Sequence, residues 1–227
     1  MRRFNYYIPI FLQKVGYSVF FVLYKIFIHI EIRGRENLEN LQKPVIFVPN
    51  HTSELDVTAI PLILPFFSKF FPIYFVTNPD HEYRSFGWRG FVYGSRFFAL
   101  FGGYSIYKGL KNYAKSLKNH EQLLRNGQSL CIFPEGQRTL DGQMSPAHGG
   151  LGYLVHATRA TVVPVAIDTF FNMSLVDLLL ARRKVVISIL EPITASELFA
   201  NTPADPAPED FRDAGQKILD RVKAVLE

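Results

Sequence analysis

Two short polar loops carry the side chains best suited to chemistry. The first reads Asn50-His51-Thr52-Ser53-Glu54-Leu55-Asp56 and follows the apolar run Val45–Val48. A histidine just past a strand end, with an aspartate five positions on, can form a base and its orienter. The carboxylate holds the proton of one ring nitrogen and stabilises the imidazolium, while the other nitrogen takes a proton from a hydroxyl. An unperturbed pKa of about 6.5 suits histidine to that work near neutrality. The same spacing also arises by chance in solvated loops. A metal site is the weaker reading, because a second His or Cys at a recognisable ligand spacing is missing.

The second loop reads Phe133-Pro134-Glu135-Gly136-Gln137-Arg138-Thr139 and follows the apolar run Ser129–Phe133. It gathers a carboxylate, a glycine and an arginine into one turn. Glycine lets a substrate approach the backbone, and arginine offers a two-pronged fork for phosphate. Standing alone, the segment is equally an ordinary Pro/Gly turn with a surface ion pair. Cys131, the one cysteine, excludes an internal disulfide and fits a reducing compartment. Its apolar neighbours make it a core thiol rather than a nucleophile.

Loops of this kind need strands to hold them. Short, apolar, β-branched runs predict strands at Val45–Val48, Ile73–Thr77, Tyr104–Tyr107, Ser129–Phe133, Thr161–Ile167 and Lys184–Leu190. Helices are expected from Glu54 to Pro65, capped by Thr52 or Ser53, and over Ser85–Leu100, Leu110–Arg125, Gly149–Thr158 and Glu209–Leu226. Glu31–Asn40 reads as a polar joint. Buried strands alternating with helices predict an α/β fold, a mostly parallel or mixed sheet with helices on both faces. Sites in such sheets gather beyond the carboxyl ends of the strands. The loops after Val48, after the Tyr104 strand and after Phe133 are therefore expected to share one crevice.

The chain has 227 residues and a net charge of +5, with 21 Phe and 11 Tyr, most of the Phe before residue 102. Amphipathic rings crowd proteins that meet a membrane–water interface, although a Phe-rich core accounts for them too. The positive charge suits a polyanion, but the basic residues are scattered and no nucleic-acid module is evident. Residues 1–30 hold Arg2, Arg3, Lys14 and Lys25, no acid, and long apolar stretches. We read residues 1–30 as a membrane-interacting helical arm, one helix or a pair lying in one leaflet with its lysines at the headgroups, and 31–227 as the α/β domain. A single tilted span is the alternative. Phe66, Phe67, Phe70 and Phe71 are expected to dip toward lipid or line an acyl-chain entrance, or else to form a core junction.

The two loops, taken together and about eighty residues apart, resemble the glycerolphosphate and lysophosphatidate acyltransferase family. Gly103-Tyr104-Ser105-Ile106-Tyr107-Lys108 stands where that family's second block stands, and Val162-Val163-Pro164-Val165-Ala166-Ile167 resembles its fourth. Gly34-Arg35-Glu36-Asn37-Leu38 matches the usual lead-in, so the resemblance covers roughly residues 31–170. It implies that His51 is the base and Asp56 its orienter. Glu135 and Gly136 would hold the acceptor's glycerol part, Arg138 and Lys108 its phosphate, with Thr139 also in the substrate-binding set. Val163 and Pro164 would belong to the acyl or donor pocket. The implied partners are a membrane lipid surface, an acyl-CoA or acyl-carrier-protein donor and a lysophospholipid acceptor. No metal or organic cofactor is implied. The expected location is the cytoplasmic face of a bacterial inner membrane. Two departures bear on the acceptor: Lys108 replaces the usual arginine, and Ser145–Gly150 lacks the lysines that commonly follow the third block. A lyso-aminolipid or glycerol 3-phosphate acceptor, or a catalytically silent lipid-binding protein, are the competing readings.

Overall fold

The computed structural model describes residues 6–79, 95–107, 110, 112–168, 170–172, 176–177 and 184–227. Most of the helix expected over Ser85–Leu100 lies outside them. Within them, seven strands form one sheet in the order β1-β7-β6-β2-β5-β3-β4. These are β1 (His29–Arg33), β2 (Val45–Pro49), β3 (Ile73–Thr77), β4 (Gly103–Ser105), β5 (Ser129–Cys131), β6 (Thr161–Asp168) and β7 (Lys184–Ile189). Every neighbouring pair is parallel except β6 and β7, so the sheet is mixed.

Strand β2 lies near the middle and is buried at all five residues. Successive side chains of a strand point to opposite faces. Val45 and Phe47 enter one core, with Tyr24, Ile60, Ile63, Val163, Val165 and Ile187. Ile46 and Val48 enter the other, with Leu123, Leu130, Leu154, Val162 and Ile218. The first core is covered by α1 (Tyr7–Phe27) and α2 (Asp56–Ile63), the second by α5 (Lys118–Arg125), α6 (Gly150–Thr158) and α8 (Pro208–Leu226). Both faces are therefore dry, and a near-continuous apolar strand is what that position demands. Three short helices, α3 (Ser95–Leu100), α4 (Tyr113–Ser116) and α7 (Ala195–Leu198), and a 3-10 turn at Arg35–Leu38 complete the elements among the described residues.

Several expectations need correction. The polar joint at Glu31–Asn40 begins as an edge strand, β1, pairing with β7 from His29 to Arg33. Its charged residues face outward at every second position, and Glu31 pairs with both Arg33 and Lys184. Those two cations hold the Glu31 carboxyl down to about 2. The partly buried Ile30 and Ile32 pack on the core, an alternation that the charges mask in the sequence. Helix α1 ends at Phe27 and β1 begins at His29, with Ile28 between them.

The helix expected over Leu110–Arg125 divides into α4 and α5. Asn112 caps α4 by accepting from Lys115 N–H at 3.0 Å. The carbonyl of Ser116 accepts from Tyr107 N–H at 3.1 Å, which diverts it from the helical ladder and breaks the run at Leu117. Helix α2 starts at Asp56 rather than Glu54, without a side-chain cap from Thr52 or Ser53.

Of the four phenylalanines for which lipid contact, an acyl-chain entrance and a core junction were the alternatives, Phe70 and Phe71 take the core and are buried in the first one. A turn in which Ser68 N–H donates to Pro65 O (2.9 Å) reverses the chain and returns them to the interior. Phe67 alone stands out in solvent, at 91% exposure, with Phe66 half-buried against Tyr17. Lys14 does not reach away from the protein. Its Nζ lies 4.4 Å from the Phe66 ring and 4.1 Å from the Phe71 ring, within cation–π range.

The arm is a single helix, and it is docked. Gln13 is buried and donates to the carbonyls of Ile73 (2.6 Å) and Phe101 (2.7 Å) while accepting from Ile73 N–H (2.9 Å). A side-chain amide thus takes the place of a neighbouring strand at the start of β3.

His120 is fully buried in α5. Its Nε2 bonds the Tyr104 carbonyl at 2.8 Å, and its Nδ1 has no partner. Burial pushes its pKa down to about 4, against a smaller opposing pull from that carbonyl. An unfolded chain protonates this ring near 6.5, so the unfolded state binds more protons between those values. Stability therefore falls as pH drops from about 6.5 toward 4, by up to about 3 kcal/mol. In His120→Gln the melting temperature should depend less steeply on pH across that window. A slope equal to wild type would show that another group sets the acid limit.

Candidate active site

The site grows from the end of β2. Asn50 is buried there, and its amide donates to Ile167 O (2.9 Å) and accepts from Ile167 N–H (2.8 Å). This carries the pairing of β2 with β6 one residue past Pro49 and fixes where His51 leaves the sheet.

His51 Nδ1 lies 3.1 Å from Asp56 Oδ2, the imidazole 18% exposed and the carboxylate wholly buried. The same oxygen accepts from Thr52 N–H (2.6 Å) and Ser53 N–H (2.7 Å). Asp56 is also the first residue of α2, where the helix dipole favours negative charge. Its carboxylate is satisfied on several sides and aimed at one ring nitrogen. A carboxylate against Nδ1 places the ring proton there and leaves Nε2 as the acceptor. The imidazole stacks on Phe133 with centroids 4.0 Å apart and planes 27° apart, which restricts its rotation.

The loop after β5 grips this segment at both ends of one residue. Glu135 Oε1 accepts from His51 N–H at 2.7 Å, and Thr139 N–H donates to His51 O at 3.0 Å. The other Glu135 oxygen accepts from Ser145 N–H at 2.9 Å. Glu135 is 2% exposed. Burial raises its pKa, and the two N–H donors pull it partly back. This carboxylate is a strut between two loops, a role the sequence reading did not give it. Thr139 is equally tied, its hydroxyl donating to Asp141 Oδ1 (2.9 Å) and accepting from Gly142 N–H (3.0 Å).

Gly136 has φ +74°, and a Cβ there would lie 2.7 Å from His148 Cδ2. The loop thus requires glycine twice over, for its backbone and for the imidazole against it. Arg138 is 41% exposed at the rim and pairs with Glu54 at 3.2 Å. The two loops are therefore joined at their surface as well as at their base.

The remaining expected site residues lie elsewhere. Val163 and Pro164 are buried in β6, in register with Phe47 and Val48 of β2, directly below the loop that carries His51. Lys108 lies outside the described residues. The chain before it, Ser105 to Tyr107, continues from β4 at the sheet edge, with β3 and β5 between it and β2. Of the three loops expected in one crevice, those after β2 and β5 meet. Asn50, Phe133 and Ser145 were not assigned roles from sequence. For Phe133, its place at the end of the apolar β5 run was the available signal.

A histidine braced by a buried carboxylate, in a loop tied to the one that carries Arg138, can take a proton from a hydroxyl and return it to a leaving group. No curated protein matches the chain in sequence. A solved structure, the 1-acyl-sn-glycerophosphate (LPA) acyltransferase from Thermotoga maritima, shares the fold with a TM-score of 0.62 and 20% identity, covering 96% of this chain and 78% of that one. A model of the acyltransferase family matches residues 29–168, more than half of the chain and all of both loops, so this protein belongs to the acyltransferase family.

Proposed function

We propose that this acyltransferase moves a fatty acyl group from an acyl-CoA or acyl-carrier-protein thioester onto the hydroxyl of 1-acylglycerol 3-phosphate, giving phosphatidate, with His51 as general base. The reading is carried by the 3.1 Å contact between His51 Nδ1 and the buried Asp56 carboxylate. His51 Nε2 takes the hydroxyl proton as the acceptor oxygen attacks the thioester carbonyl. The new C–O ester bond forms, the C–S bond breaks, and the imidazolium returns its proton to the departing thiolate. Only the chain's own side chains act in this sequence, and no cofactor is invoked.

Glu135 and Thr139 keep His51 at a fixed height, and the exposed backbone of Gly136 lies open to the glycerol part of the acceptor. Arg138 takes the phosphate by exchanging its Glu54 partner for it, with Lys108 as a second cation. Val163 and Pro164 form the apolar floor toward the acyl or donor side. The acceptor and product are lipids, so the reaction belongs at an interface. Helix α1 is long and apolar enough to cross a membrane, and little of it is buried. We read residues 1–30 as an arm lying on the leaflet, and place the enzyme on the cytoplasmic face of a bacterial inner membrane.

The test offers acyl-CoA and acyl-carrier protein separately with lysophosphatidate, glycerol 3-phosphate and a lyso-aminolipid in vesicles, and identifies products by mass spectrometry. Phosphatidate as the main product is expected. A different acylated acceptor would keep the chemistry and replace the substrate. No thioester consumption with any pair would make this a lipid-binding protein. Arg138→Ala should raise the KM for the phosphorylated acceptor about tenfold, the scale of one charge-assisted hydrogen bond, and leave the thioester KM unchanged. An equal rise for both substrates would place Arg138 outside phosphate recognition.

A further inference from the structure

Three polar side chains of the loop after β5 are already engaged inside the protein. Both Glu135 oxygens accept N–H bonds, the Thr139 hydroxyl lies between Asp141 and Gly142, and Arg138 pairs with Glu54. His148, beside that loop, differs. It is exposed, and its ring has no hydrogen-bond or ion-pair partner among the described residues. The ring is nonetheless placed. A Cβ on Gly136 would lie 2.7 Å from His148 Cδ2 and 3.0 Å from Nε2, so the edge that carries Nε2 borders the exposed Gly136 backbone.

The main chain under the ring is held from several sides. His148 N–H donates to Pro134 O (2.8 Å), and Ala147 N–H donates to Gln216 Oε1 (3.0 Å). Gly215 lets α8 approach so closely that a Cβ there would lie 3.3 Å from the His148 carbonyl oxygen. Gly149, which precedes α6, leaves room for the Tyr113 hydroxyl of α4 and the stem of Arg212 from α8. All of this uses backbone at residue 148, and the fold leaves the choice of side chain there free. An exposed histidine is ordinary on a surface. This one brings a nitrogen to a bare glycine next to Glu135, whose other contact is the His51 N–H.

The charged and titratable groups on the elements around it are Glu135, bound by its two N–H donors, Arg138 on Glu54, Tyr113, and Arg212, 3.9 Å from Glu209. Among the described residues no carboxylate pairs with the ring. A protonated imidazole here gives up no acid to meet an anion, whereas Arg138 must first leave Glu54.

We propose that His148 is a phosphate-recognising residue of the acceptor site, its Nε2–H donating to the acceptor's phosphate while the glycerol part lies on Gly136. This rests on the acceptor reading above. Imidazolium and phosphate then form a charge-assisted hydrogen bond, of the stronger kind.

The test follows KM and kcat for lysophosphatidate, at saturating acyl thioester, in the full-length wild type, His148→Ala and His148→Lys. Histidine changes charge between about pH 5 and 8. Near the acid end, at about pH 6, His148→Ala should raise the lysophosphatidate KM about tenfold, the scale of one such bond. Its kcat, thioester KM and melting temperature should match wild type, because the side chain supports nothing in the fold. The ratio of the two KM values should shrink toward about pH 8, where the wild-type ring is neutral. Ionisation of the phosphate and of His51 cancels in that ratio. His148→Lys should restore the low KM at both pH values. A wild-type KM in His148→Ala would overturn the proposal and leave phosphatidate synthesis standing. A raised KM that ignores pH and is not restored by lysine would make the ring a spacer, and a fall in kcat alone would move it to the chemical step; either overturns the proposal. Wild-type enzyme that acylates no phosphorylated acceptor would remove the acceptor reading and this inference together.

Discussion

Replacing His51 by Ala should lower kcat by about a hundredfold or more, the contribution expected of a general base. The fold should survive the change. The imidazole is partly exposed, its backbone N–H and C=O stay bonded to Glu135 and Thr139, and Asp56 keeps its donors at Thr52 and Ser53. Asp56→Asn gives the sharper diagnosis. The amide is nearly isosteric. With its oxygen kept on the Thr52 and Ser53 N–H groups, His51 keeps its orientation but loses the negative charge that stabilises its imidazolium; with its NH2 turned there instead, those two donors lose their acceptor and Nδ1 becomes the acceptor. Either way proton transfer at Nε2 is impaired, so the loss should approach that of His51→Ala. Combining the two changes should add little, because both disable one unit. Thioester consumption in the presence of lipid acceptor measures all three variants. Full activity in His51→Ala would refute the base outright, and independent, multiplying losses would mean that the pair does not act together.

The second large effect belongs to Glu135. In Glu135→Ala the N–H groups of His51 and Ser145 lose their shared acceptor, and leaving a buried donor unmade costs about 1–3 kcal/mol each. For a domain of this size that lowers the melting temperature by roughly 5 °C or more. Activity should fall further than stability explains, on the order of a hundredfold, because His51 is released from the loop that sets its height and small misplacements are expensive in rate. Glu135→Gln should fall between wild type and Ala, since its amide oxygen can serve one N–H while its NH2 opposes the other. Lysophosphatidate kinetics and calorimetry separate this from a direct substrate role. An unchanged melting temperature with only the acceptor KM raised would make Glu135 a ligand of the acceptor instead of a strut.

The sequence made the central strands legible because burial on both faces leaves no room for polar residues. Val45–Val48 and Thr161–Ile167 announce themselves that way, and Asn50 through Asp56 follows as the loop that the sheet must project. The spacing of His51 and Asp56 allowed a pair without singling it out, and it was the likeness of both loops to the acyltransferase family that did so; in the fold, a strand end and a helix start fix the two backbones. Less was visible where a side chain replaces backbone. Gln13 standing in for a strand beside β3, and Asn50 extending β2 toward Ile167, are contacts across 60 and 117 residues that no local pattern encodes. Glu135 was noticed as a carboxylate in a turn, but only three-dimensional proximity shows that its oxygens face N–H groups. Edge strand β1 escaped notice because an edge tolerates charge at alternate positions, and His29, Glu31 and Arg33 outweigh two isoleucines in any reading by composition. Lipid and core stayed open for Phe66 to Phe71 because Pro65 and Ser68 reverse the chain, turning one continuous apolar run into an outside half and an inside half.

The three hydrogen bonds of Gln13, with Tyr24 and Ile28 in the first core, give α1 a second duty. A tether joined through a limp linker would let the catalytic body tumble above the lipid. Here helix and sheet are one rigid piece, so whatever surface the helix settles on dictates the tilt of the whole enzyme and the height at which His51 is presented. It follows that removing the first 28 residues to obtain a soluble enzyme would not simply unmoor it. The cut would strip cover from the hydrophobic interior and unclip the start of β3, and the remaining chain should precipitate rather than work in solution.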